Sequence, residues 1–339
     1  MADTTYYVDT DVSGGAGDGS SWANAYSSLN AAEAARNADI TAVGIITFLC
    51  RGSTNADTTA VAIDGWTTDA THYVVVSVDS EDRHAGVWST SKYRLATASA
   101  ARTLYVNENY TIVDGVQLSK NSYTNIGVIG VNAGTATVKS CILKVVGTEQ
   151  FLFATSGGAG TVEVRNSILY ASVRYGFYLN SSGTVNLNNV TVAGCPRHGV
   201  QRVAGTVNCN NVASIGNGDN STYFCFSGTI TKTNCASTDT TADGTNCETG
   251  IAHSTSTFVN VTAGSQDYHL VSGSGLIDQG SDLSGTFTTD IDGETRSGTW
   301  DIGADEYVSS ASNTPSSTLQ RGVAVGMFKG MGIGSGQYP

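Results

Sequence analysis

The sequence predicts an all-β solenoid, a single-stranded right-handed parallel β-helix with a short N-terminal capping helix and a C-terminal tail. Three observations lead to this prediction: a Gly-Thr step that recurs at regular spacing, apolar–polar alternation after each step, and an unusual composition. The 339 residues include 40 Gly and three Pro, and charged residues make up 14%. Because Gly accepts the positive φ of tight turns, this composition favours many short strands joined by turns.

The Gly-Thr step recurs with spacings of 26, 23, 22 and 23 residues. It begins at Gly134, Gly160, Gly183, Gly205 and Gly228. The residue after Thr is small or β-branched, and two positions later come Val138, Val164, Leu187 and Cys209, with Lys232 breaking the pattern in the last coil. Alternation with period two indicates strands, and a repeat of about 20 to 50 residues indicates a solenoid.

A polar residue follows each marker Gly at a spacing of six residues. It is Ser140 in the first coil and then Asn166, Asn189, Asn211 and Asn234. Asn tolerates the left-handed backbone of a sharp bend. Equivalent residues of neighbouring coils lie about 4.8 Å apart, so we expect these four Asn to form a structural ladder of hydrogen-bonded amides. An earlier coil fits the frame when Tyr110 is aligned with Val162 and Asp114 with Asn166.

Caps are expected at both ends, because a bare stack exposes unpaired strand edges. Residues 1–40 contain an Ala-rich run that predicts a helix within 22–38, with Ser20 or Ser21 as its N-cap. Residues 41–265 are expected to form the coils, and a closing motif at 266–307 to cover the other end. A Ser/Thr linker (308–320) and a Gly-rich apolar tail (321–339) follow.

The repeat and both ends resemble a known superfamily. The start combines Tyr6-Tyr7-Val8-Asp9 with a Gly/Asp loop up to Trp22, and the end combines Asp290-Ile291-Asp292-Gly293 with a run from Asp301 to Tyr307. These features are similar to right-handed parallel β-helix proteins, including pectate lyases, polygalacturonases and phage tailspikes, and the end is similar to uncharacterised β-helix surface proteins. The resemblance implies the fold, but this fold hosts lyases, hydrolases, adhesins and inert spikes.

Charge and cysteine usage exclude several classes of protein. A net charge of −12 opposes nucleic-acid binding, and no run of about 18 apolar residues predicts a membrane span. Seven Cys without a Cys-x-x-Cys pair speak against a disulfide framework and a zinc site, with Cys235 and Cys247 the pair that could close a loop. The first residues lack the basic and apolar regions of a secretory signal.

A fixed offset from the marker Gly brings a set of glycan-binding candidates to one loop edge. They are Glu149, Arg174, Tyr175, Arg197 and His198. Flat side chains and planar donors suit sugar rings with their hydroxyls or carboxylates. The alternative is a solvated turn whose charges pair across coils.

Acidic residues are scarce in the central coils, which limits the chemistry that they can perform. Residues 134–235 contain Glu149, Glu163 and Asp219 as their acids, too few for a hydrolase pair or a lyase calcium cluster within one chain. We therefore assign no catalytic residues, although a site shared between subunits stays open. Near the end, Asp290, Asp292 and Asp301 suggest calcium; alternatively, these acids pair with Arg296 or cap turns. No other cofactor is expected.

The tail alternates Gly with large apolar residues, which is unusual for an idle linker. The docking candidates are Val323, Val325, Met327, Phe328, Met331 and Ile333. A Gly-rich apolar strand can add to the sheet edge of another protein. The alternative is a disordered tail.

Three functions remain open. We favour a structural virion protein of a bacteriophage, either a spike, a fibre or a capsid decoration, assembled in the host cytoplasm and then exposed on the particle. Its expected partners are other virion proteins through the tail, a host-surface polysaccharide, and two further copies in a homotrimer. A β-helical polysaccharide lyase or glycoside hydrolase and a bacterial surface adhesin are the alternatives.

Overall fold

The computed structural model describes residues 3–122, 126–147, 151–155 and 160–309. The described residues up to Tyr307 form one compact unit. The six predicted docking residues of the tail lie outside the described residues. In the compact unit, parallel strands from successive coils pair side by side, so the predicted fold class, a single-stranded parallel β-helix with little helix, is confirmed.

Each coil crosses three faces, and the strands of each face form a parallel sheet. Sheet 1 contains Thr4–Asp9, Ile46–Arg51, Val74–Val78, Thr111–Asp114, Thr135–Lys139, the first halves of Thr161–Tyr170 and Thr184–Ala193, then Thr206–Asn210 and Thr231–Thr233. Sheet 2 follows after a bend and contains Arg94–Thr97, Gln117–Lys120, Ile142–Val145, the second halves of the same two long strands, Ala213–Ile215 and Ala236–Ser237. Sheet 3 contains Val61–Ile63, Leu104–Val106, Ile129–Val131, Phe151–Thr155, Tyr175–Leu179, Val200–Arg202 and Phe226–Ser227.

The predicted register of the central coils is confirmed. Thr135 pairs with Thr161, which pairs with Thr184 and through it with Thr206. The apolar positions of the repeat face the interior, where they are fully buried. On sheet 2 the interior column is Leu95, Leu118, Leu143 and Leu169. Each coil thus contributes one layer of side chains to a continuous core.

The earlier coil was aligned one residue out of register. Thr111 lies opposite Ala136, which in turn pairs with Val162, so Thr111 rather than Tyr110 occupies the predicted position. Gly115 makes the bend at a φ of +75°, a conformation that Gly adopts without steric cost. The carboxylate of Asp114 is used instead to pair with Arg83, at 2.5 Å, and with a lysine of the next coil.

The N-terminal helix lies within the predicted range but starts later. A 3₁₀ turn spans Trp22–Asn24, and the α-helix spans Leu29–Arg36. Ser28, rather than Ser20 or Ser21, is the N-cap, and its Oγ accepts the N–H of Ala31 at 3.1 Å. The buried carboxylate of Asp57 accepts the N–H of Leu29 at 2.7 Å, which satisfies a second free donor of the first turn.

The closing motif lies along the side of the β-helix, and the expectation that it covers the end was wrong. The outer face of sheet 2 is apolar, and its residues form a second core with residues of the closing motif. Sheet 2 contributes Ile142, Ile168, Tyr170, Ala193, Ala213, Ile215 and Ala236, and the closing motif contributes Tyr268, Leu270, Leu276, Ile291, Ile302 and Ala304. Parallel strands that are apolar on both faces need cover on both faces, which explains this placement.

Two short elements complete the unit. Phe258–Asn260 and Asp267–Leu270 form an antiparallel pair at the start of the closing motif. At the end of the stack, isolated bridges join Thr233 to Thr245 and Ala236 to Glu248, so the chain itself adds a partial coil there.

The cysteines are free thiols, and the described helices are short. All seven Cys are free, and six of them are buried. The Sγ of Cys247 accepts the backbone N–H of Cys235 at 3.2 Å and forms no disulfide with it. Within the residues that the structure describes, no helix is both long and apolar enough to cross a membrane.

Candidate functional site

Two columns of side chains form where sheet 2 turns into sheet 3. Phe177 pairs with Val200, which pairs with Phe226. Counting back from these partners puts Arg174, Arg197 and Tyr223 in one column, and Tyr175, His198 and Phe224 in the next. Backbone hydrogen bonds agree, since the Arg197 N–H donates to the carbonyl oxygen of Arg174 at 2.8 Å. We refer to these six residues as the platform.

Arg197 is held between two tyrosines. Its Nη1 donates to the Oη of Tyr175 at 3.2 Å. Its guanidinium carbon lies 4.9 Å from the ring centroid of Tyr223 and 5.8 Å from that of Tyr175. These distances are within range of a cation–π interaction. The guanidinium is therefore oriented by its neighbours before any ligand arrives.

His198 is a buried spacer between the rings of the platform. Its ring stacks on Tyr175 with centroids 5.9 Å apart and meets the edge of Tyr223 at 5.3 Å. Its Nδ1 accepts the N–H of Phe224 at 2.9 Å. Burial lowers the pKa of the imidazole. A neutral, hydrogen-bonded ring at this position holds the next coil in place.

An insertion explains why fixed spacing missed Tyr223 and Phe224. Phe226 lies 21 residues after its marker Gly, whereas Phe177 and Val200 lie 17 residues after theirs. The extra residues form a tight loop in which Asp219 Oδ1 accepts the N–H groups of Ser221, Thr222 and Tyr223 at 2.7 to 3.0 Å. These hydrogen bonds lower the pKa of Asp219. The sequence did contain a signal for this loop: Asp219 lies within a Gly/Asn/Ser-rich run, and Asp readily forms Asx turns.

The platform offers ring faces and cationic donors but no carboxylate. The structure brings together, on adjacent coils, four of the five predicted residues: Arg174, Tyr175, Arg197 and His198. The fifth, Glu149, lies outside the described residues. Tyr178 extends the aromatic surface, since its ring centroid lies 5.6 Å from that of Tyr175. Such a surface can stack against a sugar ring and donate hydrogen bonds to its hydroxyl or carboxylate groups.

The Asn column makes most of its hydrogen bonds to the closing motif. All four Asn have φ between +45° and +55°, as expected for a left-handed bend. One direct amide bond joins two of them, from Asn211 Nδ2 to Asn189 Oδ1 at 3.0 Å. Amide donors also reach backbone carbonyls of Thr289, Asp301, Gly303, Ser281 and Gln279. The column is therefore the edge on which the closing motif docks.

Two short polar ladders, each with one amide–amide hydrogen bond, lie on the outer face of sheet 1. Asn208 donates to Asn186 at 2.9 Å, and Asn210 donates to Asn188 at 3.1 Å. The carboxylate of Glu163 accepts from both ladders. The polar positions that alternate with the apolar ones in the Gly-Thr repeat could have predicted these ladders from the sequence.

Two of the three predicted calcium ligands serve as turn caps. Asp290 Oδ1 accepts three backbone N–H groups at 2.8 to 3.2 Å, and its Oδ2 accepts the N–H of Glu306. The two oxygens of Asp301 accept the N–H groups of Asp278 and Tyr307 at 2.7 and 2.6 Å. Burial raises the pKa of Asp301 to about 6, and burial together with the charge of Asp292 raises the pKa of Asp290. Calcium binding by these three residues stays a prediction.

A separate pocket of about 330 Å³ opens between sheet 2 and the hairpin of the closing motif. Its lining includes Trp88, Lys144, Tyr170, Asn260, Gln266 and Asp267. The Nζ of Lys144 lies 4.0 Å from the ring centroid of Trp88. Burial lowers the pKa of Lys144 to about 8, and within the described ranges this ammonium forms no ion pair.

Comparison with known proteins adds one similarity of fold. The chain is similar to the crystal structure of pectate lyase Pel9A, with a TM-score of 0.49 and 16% sequence identity, over 91% of this chain and 97% of that chain. No protein-family model and no curated protein matches the sequence.

Proposed function

We propose that this chain is a glycan-binding structural protein, a rigid β-helix that presents the platform to a polysaccharide. The observation that carries the proposal is the position of Arg197, oriented between Tyr175 and Tyr223. Side chains that are already ordered lose little conformational entropy on binding, and this favours affinity. The platform carries two arginines, whereas the chain as a whole is acidic, with a net charge of −12.

Binding without turnover is the expected mode at the platform. Glycoside hydrolysis in most families requires two carboxyl groups on either side of the scissile bond. The columns of the platform hold no acid, and Asp219 uses one oxygen to shape its loop. The ligand that fits best is an acidic or hydroxyl-rich polysaccharide, since Arg pairs well with carboxylates.

A binding assay with matched variants tests this proposal. Arg197→Ala and Tyr223→Ala should each lower the affinity for a glycan selected on an array by at least about tenfold, which corresponds to about 1.4 kcal/mol. Arg94→Ala, which changes an arginine far along the stack, is the control and should retain affinity. Equal binding by Arg197→Ala and the unaltered protein would refute the platform.

The wider role that we propose is that of a bacteriophage virion protein, in the form of a spike, a fibre or a capsid decoration. In this proposal the tail, residues 321–339, anchors the chain to other virion proteins, and three copies form a homotrimer. Deleting the tail should leave the β-helix folded by circular dichroism but abolish incorporation into particles, and light scattering should report a trimer. Incorporation of the deleted form would contradict the anchor, and binding to bacterial cells without any particle would favour an adhesin.

One observation favours a polysaccharide lyase as a second candidate. A lyase needs a base that removes a proton beside a carboxylate, and the best base has a pKa near the working pH. Lys144, with its pKa lowered to about 8, faces a pocket of suitable size. If the chain is a lyase, ultraviolet absorbance of unsaturated products should appear with polyuronates and disappear in Lys144→Ala, while Lys92→Ala retains it. Absence of product from the unaltered protein would remove this candidate.

A further inference from the structure

Three potential metal ligands converge where the closing motif meets the loop before sheet 2. The Nε2 of His269 lies 3.2 Å from Asp292 Oδ2 and 4.0 Å from Asp305 Oδ1. All three ligand atoms lie within 4.8 Å of one another, and this is the single group of its kind among the described residues. Zn²⁺ binds His and carboxylate ligands at about 2.0–2.2 Å, so the atoms need to move only slightly towards a common centre.

The imidazole is held in the orientation that a metal ligand requires. Asp267 Oδ1 lies 2.6 Å from Nδ1 of His269, which leaves Nε2 as the nitrogen that faces the two other carboxylates. Metal-bound histidine commonly donates the N–H of its other ring nitrogen to a carboxylate. Asp267 lies outside the ligand group, so this contact is independent evidence for a ligand histidine.

The carboxylates of the group are incompletely hydrogen-bonded within the part of the chain that the structure describes. Asp305 has 8% of its side chain exposed; its Oδ2 accepts the N–H of Leu270, whereas its Oδ1 lies 4.0 Å from Nε2 of His269. Among the residues that the structure describes, the buried Oδ1 of Asp292 has no hydrogen-bond partner. Buried polar atoms without partners are costly, and a bound cation would satisfy them.

The backbone of Gly86 lies close to the imidazole of His269, where a side chain would clash. A Cβ at Gly86 would lie 2.4 Å from His269 Nε2, so any other residue would fill the position next to the ligand atom. The side chains of His269 and Asp292 are 24% and 18% exposed, which leaves a route for an ion from solvent. Arg296, a buried cation whose charge acts on Asp305, is already paired with Glu306 at 3.0 Å.

We propose that His269, Asp292 and Asp305 bind one divalent transition-metal ion, with Asp267 as a positioning residue. Two carboxylates balance the two charges of the ion. The imidazole favours Zn²⁺ and similar ions, whereas Ca²⁺ takes six to eight oxygen ligands. The ion would fasten the hairpin strand, which carries His269, to the two later segments of the closing motif.

Titration of the full chain with Zn²⁺, after chelation and dialysis, tests the site. Calorimetry should give one Zn²⁺ per chain with micromolar or tighter affinity, and Ca²⁺ should bind at least 100-fold more weakly. The isosteric variant Asp292→Asn and His269→Gln should each weaken Zn²⁺ binding at least 100-fold, and Asp267→Asn about 10- to 100-fold. His72→Gln is the matched control, because His72 pairs with a single surface carboxylate, and it should bind as the unaltered protein does.

The outcomes separate the site from adventitious binding. No saturable Zn²⁺ binding by the unaltered chain would overturn the proposal, as would undiminished binding by a folded Asp292→Asn variant or tighter binding of Ca²⁺. If a variant fails to fold, Co²⁺ bound to the unaltered chain gives the answer. Its visible spectrum should show bands of a low-symmetry imidazole–carboxylate site that Zn²⁺ displaces, and a spectrum of hydrated Co²⁺ would overturn the proposal.

Discussion

Arg296 and Asn166 are 130 residues apart in the chain and form a buried hydrogen bond, from Nη2 to Oδ1 at 3.2 Å. The same guanidinium donates to the carbonyl oxygens of Gly303 and Ala304 and pairs with Glu306. One side chain thus joins the bend of a coil, the body of the closing motif and its last residues. The Asn column forms hydrogen bonds with the closing motif along its length. The closing motif on the side of the β-helix is therefore an integral part of the fold.

Removing the guanidinium should destabilise the whole unit. Arg296→Met leaves Glu306 buried without its partner, and breaking a buried ion pair costs about 3–5 kcal/mol. The free energy of unfolding, measured with guanidinium chloride, should fall by that amount. Glu294→Ala, an exposed change in the same motif, is the control and should be neutral within about 0.5 kcal/mol. The double variant Arg296→Met/Glu306→Gln should recover part of the loss.

The amide of Asn189 should matter more than an amide of the outer ladders. It is fully buried and donates to Asp301 and Gly303 at 3.0 and 3.1 Å, with φ at +51°. Asn189→Ala should cost about 2–4 kcal/mol, from these two hydrogen bonds, the one that its Oδ1 accepts from Asn211, and the left-handed backbone. Asn189→Gly should restore about 1 kcal/mol of this, and Asn208→Ala should cost less than about 1 kcal/mol. Equal effects of Asn189→Ala and Asn208→Ala would contradict the docking role.

The fold was predictable because the spacing of a sequence repeat gives the pairing register of its strands. Each Gly-Thr step sets the same local conformation, and the pairing of Thr161 with Thr184 follows directly from the spacing. The register failed at Asp114, whose similarity to Asn hid the fact that Gly115 makes the bend. The lateral position of the closing motif was also missed, although strands such as that ending at Tyr170 are apolar at consecutive positions and so indicate cover on both faces.

The candidate site was predictable only where coil length is constant. Arg174, Tyr175, Arg197 and His198 lie in coils of similar length, so a fixed offset brings them together. Tyr223 follows a loop insertion, and counting from Gly205 cannot place it without the loop. The cluster around His269 depends on contacts between segments far apart in sequence, which no local pattern contains.

Acid should weaken the protein through His84. Its Nε2 donates to the Ser140 carbonyl at 2.8 Å and its Nδ1 accepts the Gly86 N–H at 3.3 Å, an arrangement of the neutral ring. Burial, with the nearby charge of Arg83, lowers its pKa to about 4, against about 6.5 in the unfolded chain. The stability is therefore fully present above pH 6.5 and is lost as the pH falls towards 4, by about 3 kcal/mol.

The difference between the unaltered protein and His84→Gln isolates this effect. The raised pKa of Asp301 and of Asp305, each about 6, acts in the opposite direction, because protonation of these buried acids favours the folded state. Unfolding free energies at several pH values between about 7 and 4 should diverge, with the smaller acid-induced loss in His84→Gln. Parallel curves would show that His84 does not carry the acid sensitivity.

Gly303 should tolerate a side chain less well than Gly298, although both have positive φ, +114° and +68°. A Cβ at Gly303 would lie 2.9 Å from the Thr191 Oγ1 that accepts the N–H of Ala304, whereas nothing lies within 4 Å of a Cβ at Gly298. Gly298→Ala should cost about 1 kcal/mol, from its backbone alone. Gly303→Ala should cost at least about 2 kcal/mol. It should also speed amide hydrogen exchange in residues 276–304 more than in the coils. Equal losses of unfolding free energy would contradict close packing of the closing motif on sheet 2.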